Sequence, residues 1–491
     1  MLFVGEDASE RAFARAVNFL VAPHPNLAMD VLLGNGPLRF LRIRVPTDTT
    51  AAAWKKTLSQ LPLAPVHTSV TPKTLAVEVY AIAGTATAAK LDDLGFWVDR
   101  LGQPDEPLTS DLYILRDDRQ AESGFLQDDG NSFQIFGDAN TAGRVLTSTP
   151  EGLFVTVPAG RSVESFHFSA ARHGHNLKLM PSPTLLEPDE PEENERLADT
   201  IAAAPTLLTG ADALPDALAP ALTDAQRNTL RTGISTAGLK RDVERYSGVR
   251  PLFGTTVVNS RHIHHPSNAE AVRALVKDLM NAGPALAVRT HRFTHEAKQY
   301  DNVEAVLPAA GLPGIVLVTA HLDSTGARQA GYHAATDSAP GADDDASGLA
   351  AVLSTARTFL KMGPVPRREV RFVLFNAEEH GLIGSRAYAR EQAQIGAKIV
   401  AVFQLDMVGF DVAAGRTFEL HVGFTPSATV QGRSAKLAKL VAALVPEVSP
   451  TLPAPQFYPA VNAADPAESR SDHYSFQLEG YAACLASEDF F

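Results

Sequence analysis

Four near-continuous apolar runs in the second half of the chain constrain its fold more than any other feature. They lie at residues 314–320, 370–375, 399–405 and 481–486. A strand that is buried on both faces has such a run, and strands of this kind are typical of parallel sheets. Segments with a helical pattern, at residues 346–360 and 381–394, separate the first three runs. The pattern predicts an α/β domain in which helices cover both faces of a mixed, mostly parallel sheet.

The first part of the chain has a different texture, which predicts more than one domain in a chain of 491 residues. Residues 1–180 alternate short apolar runs with turn residues, as strands do, and residues 9–20 have a helical pattern. We expect a β-rich accessory domain there. Residues 181–239 begin with a segment rich in proline and acids and continue as Ala-rich helices, one of which is predicted to start at Thr223. We expect a linker and helical bridge at 181–239 and the α/β domain at 240–491.

Composition and charge exclude several classes of partner. The chain has 43 Lys and Arg residues against 56 Asp and Glu, a net charge of -13, so it has no electrostatic reason to bind nucleic acid or an anionic membrane. No run of about 18 apolar residues is present, and we predict no membrane span. The first residues carry acids where a secretory signal has a basic start and an apolar run. We therefore expect a cytoplasmic location for the chain as written, and secretion stays open if the native start is missing. The sequence carries no signal for an oligomeric state.

Cysteine usage limits the kind of metal site that the chain can form. Cys484 is the only cysteine, which excludes an intrachain disulfide and a Cys-rich metal site. It lies in an apolar run, and we interpret it as a small buried hydrophobe. Any bound metal must therefore be held by histidines and carboxylates.

Histidine and carboxylate residues follow each of the first three apolar runs. Open α/β sheets bind ligands at the carboxyl ends of their strands, so these side chains are candidates for one site. Imidazole and carboxylate suit zinc when thiolate is absent. Of two adjacent acids, one can bind metal while the other moves a proton, and an Asp two residues after a His can accept its second N–H. Each residue alone would be interpreted as a helix cap or a solvated helix start. Together they are His321, Asp323, Asp343, Asp344, Asp345, Glu378, Glu379 and Asp406.

Five short motifs connect these residues to a known family. The strings AHLDS, PGADDDASG, AEEHGLIGS, QLDM and SDHYSF occur in this order. In combination they resemble the zinc metallopeptidase family that includes bacterial leucyl aminopeptidase and aminopeptidase Y, with glutaminyl cyclases and the transferrin-receptor group as more distant relatives. The resemblance covers about residues 240–491 and implies a zinc aminopeptidase-like fold and peptide substrates with a free N-terminus. The histidines within residues 260–265 are interpreted as loop structure rather than as ligands.

The resemblance also implies a role for each residue of the predicted site. Two zinc ions are expected in the catalytic domain, where they would activate a water and polarise the scissile carbonyl. Glu378 would be the general base and acid in the hydrolysis of N-terminal residues. We expect Phe457, Tyr458 and Met407 near the pocket wall, with Asp472 and His473 close to the substrate. The implied metal ligands are His321 and Asp406 for one zinc, Glu379 for the other and Asp344 as the bridge, with Asp323 orienting His321.

One feature of the family is missing from the sequence. The family's last metal ligand is a His after the final strand, and no His follows His473 here. We expect a chain truncated at its C-terminus; the alternatives are that His473 is a substitute ligand, or that the second site is degenerate. Two other functions stay open, a glutaminyl-cyclase-like acyltransferase with a single metal and a catalytically inactive binding protein with the peptidase fold. The presence of both His321 and Asp406 favours the two-metal hydrolase.

Overall fold

The computed structural model separates into two compact units. One contains residues 1–195 and 425–429, and the other contains residues 196–424 and 430–491. The structure describes residues 29–70, 76–101, 110–116, 135–136, 144–149, 151–158, 163, 167–168, 176–189, 206–207, 223–327, 329, 331–363, 365–410, 417–449, 451–460 and 465–488. The helix predicted at residues 9–20 lies outside this part.

The first unit is rich in antiparallel strands, as predicted. Its two four-stranded sheets have the orders β2-β3-β1-β4 and β10-β5-β8-β7, and β6 pairs with β9. Trp54 and Leu58 pack under the first sheet, and the ring of Tyr80 stacks on Phe154 with centroids 4.2 Å apart. The elements are α1 (Met29–Leu33), β1 (Leu38–Arg44), α2 (Ala51–Ser59), β2 (Leu63–Val70), β3 (Val77–Gly84), α3 (Thr85–Asp93), β4 (Trp97–Leu101), β5 (Ser110–Leu115), β6 (Ile135–Phe136), β7 (Arg144–Thr149), β8 (Gly152–Pro158), β9 (His167–Phe168), β10 (Leu177–Leu179) and a 3₁₀ turn (Pro183–Leu186).

The second unit contains a nine-stranded mixed sheet of order β11-β18-β17-β19-β16-β14-β15-β13-β12. Its central strands β15, β14, β16 and β19 are parallel, and β13 and β12 continue one edge antiparallel. The predicted α/β fold with a mixed sheet is therefore confirmed. The elements are β11 (Thr206–Leu207), α4 (Asp224–Gly233), α5 (Thr236–Tyr246), α6 (Ser267–Ala282), β12 (Ala287–His295), β13 (Lys298–Leu307), β14 (Ile315–His321), α7 (Ala346–Met362), β15 (Glu369–Phe375), α8 (Ile383–Gln394), β16 (Ile399–Leu405), β17 (Glu419–His421), α9 (Ala428–Val448), β18 (Gln456–Tyr458), α10 (His473–Gln477) and β19 (Ala483–Ser487).

Strand β15 shows why the central runs are continuously apolar. Phe372 and Leu374 pack into a core with residues of α5, α6 and α7, whereas Val373 and Phe375 pack into a second core with residues of α8 and α10. Successive side chains of a strand point to opposite faces, so a sheet covered on both faces needs an apolar residue at every position. The two cores hold the strand ends, and the loops after them, in fixed positions.

Side-chain caps and local sequence define where individual helices begin. Thr223 caps α4, and its hydroxyl accepts the N–H of Gln226 while the Gln226 side chain accepts the N–H of Thr223, which confirms the predicted helix start.

Cys484 is a buried free thiol in β19, as expected. None of the helices in the described part of the chain is long and apolar enough to cross a membrane.

Candidate functional site

The parallel register of the central strands brings three of the predicted motifs to one edge of the sheet. His321, the last residue of β14, lies opposite Phe375, the last residue of β15. Glu378 and Glu379 follow three and four residues after β15, and Asp406 directly follows β16. Parallel strands end at the same edge, so the strands themselves position these side chains.

His321, Asp344 and Asp406 form a compact group of possible metal ligands. Nε2 of His321 lies 3.0 Å from Oδ1 of Asp344 and 3.6 Å from Oδ1 of Asp406. One ligand atom from each residue lies within 4.8 Å of the others. The side chains of His321 and Asp406 are fully buried, whereas that of Asp344 is 25% exposed. The group is therefore largely buried, and Asp344 is its partly exposed member.

The donor atoms of this group fit a cation. Within the described part of the chain, Nε2 of His321 and Oδ1 of Asp406 have no partner in hydrogen-bond geometry, although each is buried. Oδ2 of Asp406 is held by the hydroxyl of Ser471 at 2.7 Å, which leaves Oδ1 facing the imidazole. Burial lowers the pKa of His321, but the charges of Asp406 and Glu378 outweigh it and the pKa stands well above its usual range. The excess negative charge and the imidazole–carboxylate donor set are those that zinc prefers.

Asp323 connects the imidazole to the turn that carries the two glutamates. Its Oδ1 lies 3.6 Å from Nδ1 of His321, longer than an ordinary hydrogen bond. The carboxylate accepts the backbone N–H groups of Glu378 at 3.0 Å and Glu379 at 3.2 Å. Burial raises the pKa of Asp323, but its contacts with His321 hold the pKa below the usual value. Asp323 is thus an anion that fixes the turn, and its role in orienting His321 stays a prediction.

Asp345 has a structural role that sequence reasoning did not assign. Its carboxylate caps α7 by accepting the N–H of Gly348 at 2.8 Å, and its other oxygen accepts the N–H of His321 at 3.1 Å. The cap therefore fixes the start of α7 against the end of β14. The peptide bond between Asp344 and Asp345 is cis. Asp345 faces the backbone, which leaves Asp344 as the member of the acidic triplet that faces His321.

Arg261 is a second supporting residue that sequence reasoning missed. Its guanidinium is fully buried and donates to the carbonyls of Tyr246, Leu322, Pro340 and Gly341. These carbonyls belong to three separate segments, so one side chain joins the loop after β14 to the loop that precedes Asp344. A single arginine in a predicted loop gives no sequence signal for such a role.

Glu378 and Asp472 are buried acids beside the group. Burial raises the pKa of Glu378 well above its usual range; His321 opposes this shift, and the carboxylates of Asp472 and Glu379 add to it. Burial raises the pKa of Asp472 to about 7. Glu379 is half-buried and lies outside the compact group of His321, Asp344 and Asp406. Its assignment as the ligand of a second zinc stays a prediction.

The remaining predicted site residues lie in different surroundings. His473 is buried at the start of α10, where burial lowers its pKa to about 4, and it belongs to neither candidate ligand group of the described residues. Met407 has a positive φ of 52°, and its carbonyl accepts the hydroxyl of Ser487 at 3.1 Å. Tyr458, on β18, donates to Glu419 and stacks on His421. Their contacts with substrate stay predictions.

A second group of possible ligands contains only histidines. His262, His264 and His380 each offer a ring nitrogen, and these nitrogens lie within 4.8 Å of one another. His262 and His264 lie in a loop before α6, as expected, and His380 follows Glu379 in the turn after β15. The sequence separation of these residues hid the group. Its only sequence signal was a histidine directly after the two glutamates.

The fold and the first site define a mixed α/β protein with a buried imidazole–carboxylate group at its strand ends. Residues 302–490 match the model of "Peptidase family M28", and the predicted resemblance is confirmed. A probable leucine aminopeptidase of Trichophyton verrucosum (strain HKI 0517) is 29% identical over 197 residues, which are 39% of this chain and 48% of that protein. The chain thus spans about half the length of the curated relatives it matches.

Solved structures of aminopeptidases are also similar. LapA aminopeptidase of Legionella pneumophila aligns with a TM-score of 0.48 at 17% identity, over 77% of this chain and 87% of that chain. BSAP, a zinc aminopeptidase from Bacillus subtilis, aligns with a TM-score of 0.29 at 24% identity, over 39% of this chain and 40% of that chain.

Proposed function

We propose that this chain is a zinc-dependent aminopeptidase that removes N-terminal residues from peptides. The observation that carries the proposal is the convergence of Nε2 of His321 with the carboxylates of Asp344 and Asp406, at 3.0 and 3.6 Å, beside the buried acid Glu378. The family match and the leucine aminopeptidase among the relatives support it.

The residues present would hold zinc in the following way. His321, Asp344 and Asp406 would be the ligands of one ion, and Asp344 with Glu379 would contribute to a second. Bound zinc supplies an activated water and polarises the scissile carbonyl. Ser471 and Asp345 fix the ligands, through the carboxylate of Asp406 and the backbone of His321 respectively.

Glu378 would move the proton. Its carboxylate would take a proton from the attacking water and return it to the nitrogen of the leaving amine. A general base must also hold that proton, and a raised pKa makes a carboxyl group suited to both steps near neutral pH. Asp323 accepts the backbone N–H of Glu378, which fixes the turn that carries this side chain.

The charge of the site favours a free N-terminus. Asp344, Glu378, Asp406 and Asp472 place several carboxyl groups near the imidazole, and Glu379 lies near Glu378. Carboxylates that the zinc ions do not neutralise would bind an α-ammonium group, whereas the free carboxylate at the other end of a peptide has no such partner there. This asymmetry supports an aminopeptidase over a carboxypeptidase.

The proposal is tested with leucyl-p-nitroanilide and its N-acetylated form. The full chain should release p-nitroaniline from the first compound and not from the second. A chelator should abolish release, and zinc should restore it. Asp406→Asn should lower kcat/KM at least about 100-fold, because it removes a charged ligand, and the matched control Asp301→Asn, at an exposed ion pair with Arg292, should stay within about twofold.

Two results would refute the aminopeptidase proposal. One is full activity of the chelated protein. The other is release of ammonia from a peptide that begins with glutamine, without hydrolysis of leucyl-p-nitroanilide, which would instead indicate the glutaminyl-cyclase-like alternative.

A further inference from the structure

We propose that His262, His264 and His380 form a second metal site, which binds a borderline divalent transition-metal ion such as zinc and shares no ligand with the first site. One ring nitrogen from each residue lies within 4.8 Å of the others, so a single ion can reach all three after small side-chain movements. Nothing in the proposed aminopeptidase chemistry uses these residues.

The three rings are inclined to one another rather than stacked. Their centroids lie 4.9 to 5.1 Å apart, with interplanar angles of 55°, 71° and 73°. Imidazole nitrogens lie at the ring edge, and this arrangement is compatible with the approach of one nitrogen of each ring to within 4.8 Å of the others. Parallel stacking would turn the ring faces toward each other instead.

The ligands are held by separate elements of the second unit. His262 and His380 are fully buried, and the side chain of His264 is 16% exposed. His380 lies in the turn after β15, whose backbone closes through bonds from Gly381 and Leu382 to the carbonyl of Glu378. An ion at this site would therefore connect the loop before α6 to the turn that carries Glu378 and Glu379.

Glu296 supplies the carboxylate that commonly orients a metal-binding imidazole. Its Oε2 lies 2.6 Å from Nε2 of His264, and its Oε1 lies 3.3 Å from Nε2 of His295. A carboxylate that accepts from one ring nitrogen fixes the tautomer in which the other nitrogen carries a lone pair. Glu296 also supplies a negative charge beside His264.

The donor set selects the kind of ion. Three imidazoles with a carboxylate nearby favour zinc, cobalt, nickel or copper over calcium and magnesium, which prefer oxygen ligands. Nδ1 of His262 accepts the N–H of His264 at 3.0 Å. That bond must open when His262 binds an ion, because the ring proton moves to Nδ1 if Nε2 is the ligand. Binding therefore exchanges one neutral hydrogen bond for one metal–nitrogen bond.

The site is tested by counting ions in the full chain. The protein is stripped with a chelator, dialysed against buffered Zn²⁺ and analysed for zinc per chain. His264→Gln should bind one ion fewer than the wild type. The control His265→Gln, at the adjacent histidine that lies outside the group, should bind as many as the wild type. Gln can still donate to Glu296, so the substitution removes the ligand and keeps a polar contact.

A second set of variants, made in a protein with an altered first site, distinguishes zinc bound at the histidine group from zinc bound at the first site. In a His321→Ala protein the first group has lost its imidazole, and one further zinc per chain should be lost on adding His264→Gln or His380→Gln. Cobalt provides an independent readout, because its visible absorption reports nitrogen ligands. Circular dichroism establishes that each variant is folded, and His262→Asn replaces any of these variants that is not.

Equal zinc binding by His264→Gln, His265→Gln and wild type would overturn the proposal. The histidines would then be a hydrogen-bonded group around Glu296. Because the readout is ion stoichiometry and not peptide hydrolysis, this result would leave the aminopeptidase proposal intact, and an inactive protein that still loses one ion in His264→Gln would support the second site alone.

Discussion

Glu378 is the residue on which the proposed chemistry depends most. General acid–base catalysis contributes about 10²- to 10⁴-fold to rate, so Glu378→Gln should lower kcat at least about 100-fold. Zinc content should not change, because Glu378 lies outside both candidate ligand groups. The measurement is turnover of leucyl-p-nitroanilide together with zinc per chain. Glu391→Gln, at an exposed glutamate of α8, is the matched control. More than a tenth of wild-type activity in Glu378→Gln would exclude this role.

Arg261 holds together the loops that carry the candidate site, so its substitution should lower the stability of the protein. Its fork of N–H groups satisfies four carbonyls, and lysine offers one compact ammonium in its place. Buried carbonyls that lose a partner cost about 1–3 kcal/mol each, so Arg261→Lys should lower the free energy of unfolding by roughly 2–4 kcal/mol. Urea unfolding measures this. Arg292→Lys, at a surface ion pair, should change it by less than about 1 kcal/mol, and an equal effect of the two variants would contradict the argument.

At the scale of elements, the strands were more predictable than the loops between them. Residues 399–405 are a strand in both prediction and structure, because burial on both faces demands a continuous apolar run. The same runs predicted that His321 and Asp406 lie at one sheet edge. The pairing of His262 with His380 was not predictable, since it depends on the path of two loops that share no periodicity. The capping role of Asp345 was hidden for another reason, because three adjacent aspartates have the same chemistry and only the backbone distinguishes them.

His421 of strand β17 forms a buried ion pair with Asp465, and this pair should make stability depend on pH. Burial lowers the pKa of His421, but the charge of Asp465, 2.7 Å away, outweighs it and raises the pKa from 6.5 to about 9. The folded state thus holds this proton more tightly than the unfolded state. The resulting stabilisation is complete below pH 6.5 and is lost as the pH rises through about 9.

The shift predicts a difference between wild type and His421→Gln that depends on pH. The wild type should have a larger free energy of unfolding than the variant at pH 6. This difference between the two proteins should be greater at pH 6 than at pH 10 by on the order of 3 kcal/mol. Urea unfolding at several pH values and one fixed free zinc concentration measures this, and groups that titrate equally in both proteins cancel. A difference that is constant or grows with pH would contradict the assignment.

At the scale of the whole molecule, every candidate ligand found in the described part of the chain lies in the second unit, and both tryptophans, Trp54 and Trp97, lie in the first. An ion that binds only the folded protein stabilises it by about 1.4 kcal/mol for each tenfold rise in free ion above its Kd, and two such ions double this slope. Urea unfolding followed by circular dichroism in a series of zinc buffers therefore counts the ions whose binding is coupled to the fold.

The expected slope differs between the wild type and variants of the two sites. Wild type should be stabilised more steeply with zinc than His264→Gln or Asp406→Asn, because each variant removes a ligand from only one of the two groups. The double variant should show the weakest dependence on zinc, while His265→Gln should follow the wild type. Tryptophan fluorescence reports the first unit, so its midpoint should move with zinc only if the two units unfold together. A wild-type stability that does not change with zinc would mean that neither group binds an ion tightly enough to support the fold. This result would contradict the proposed zinc dependence of the aminopeptidase.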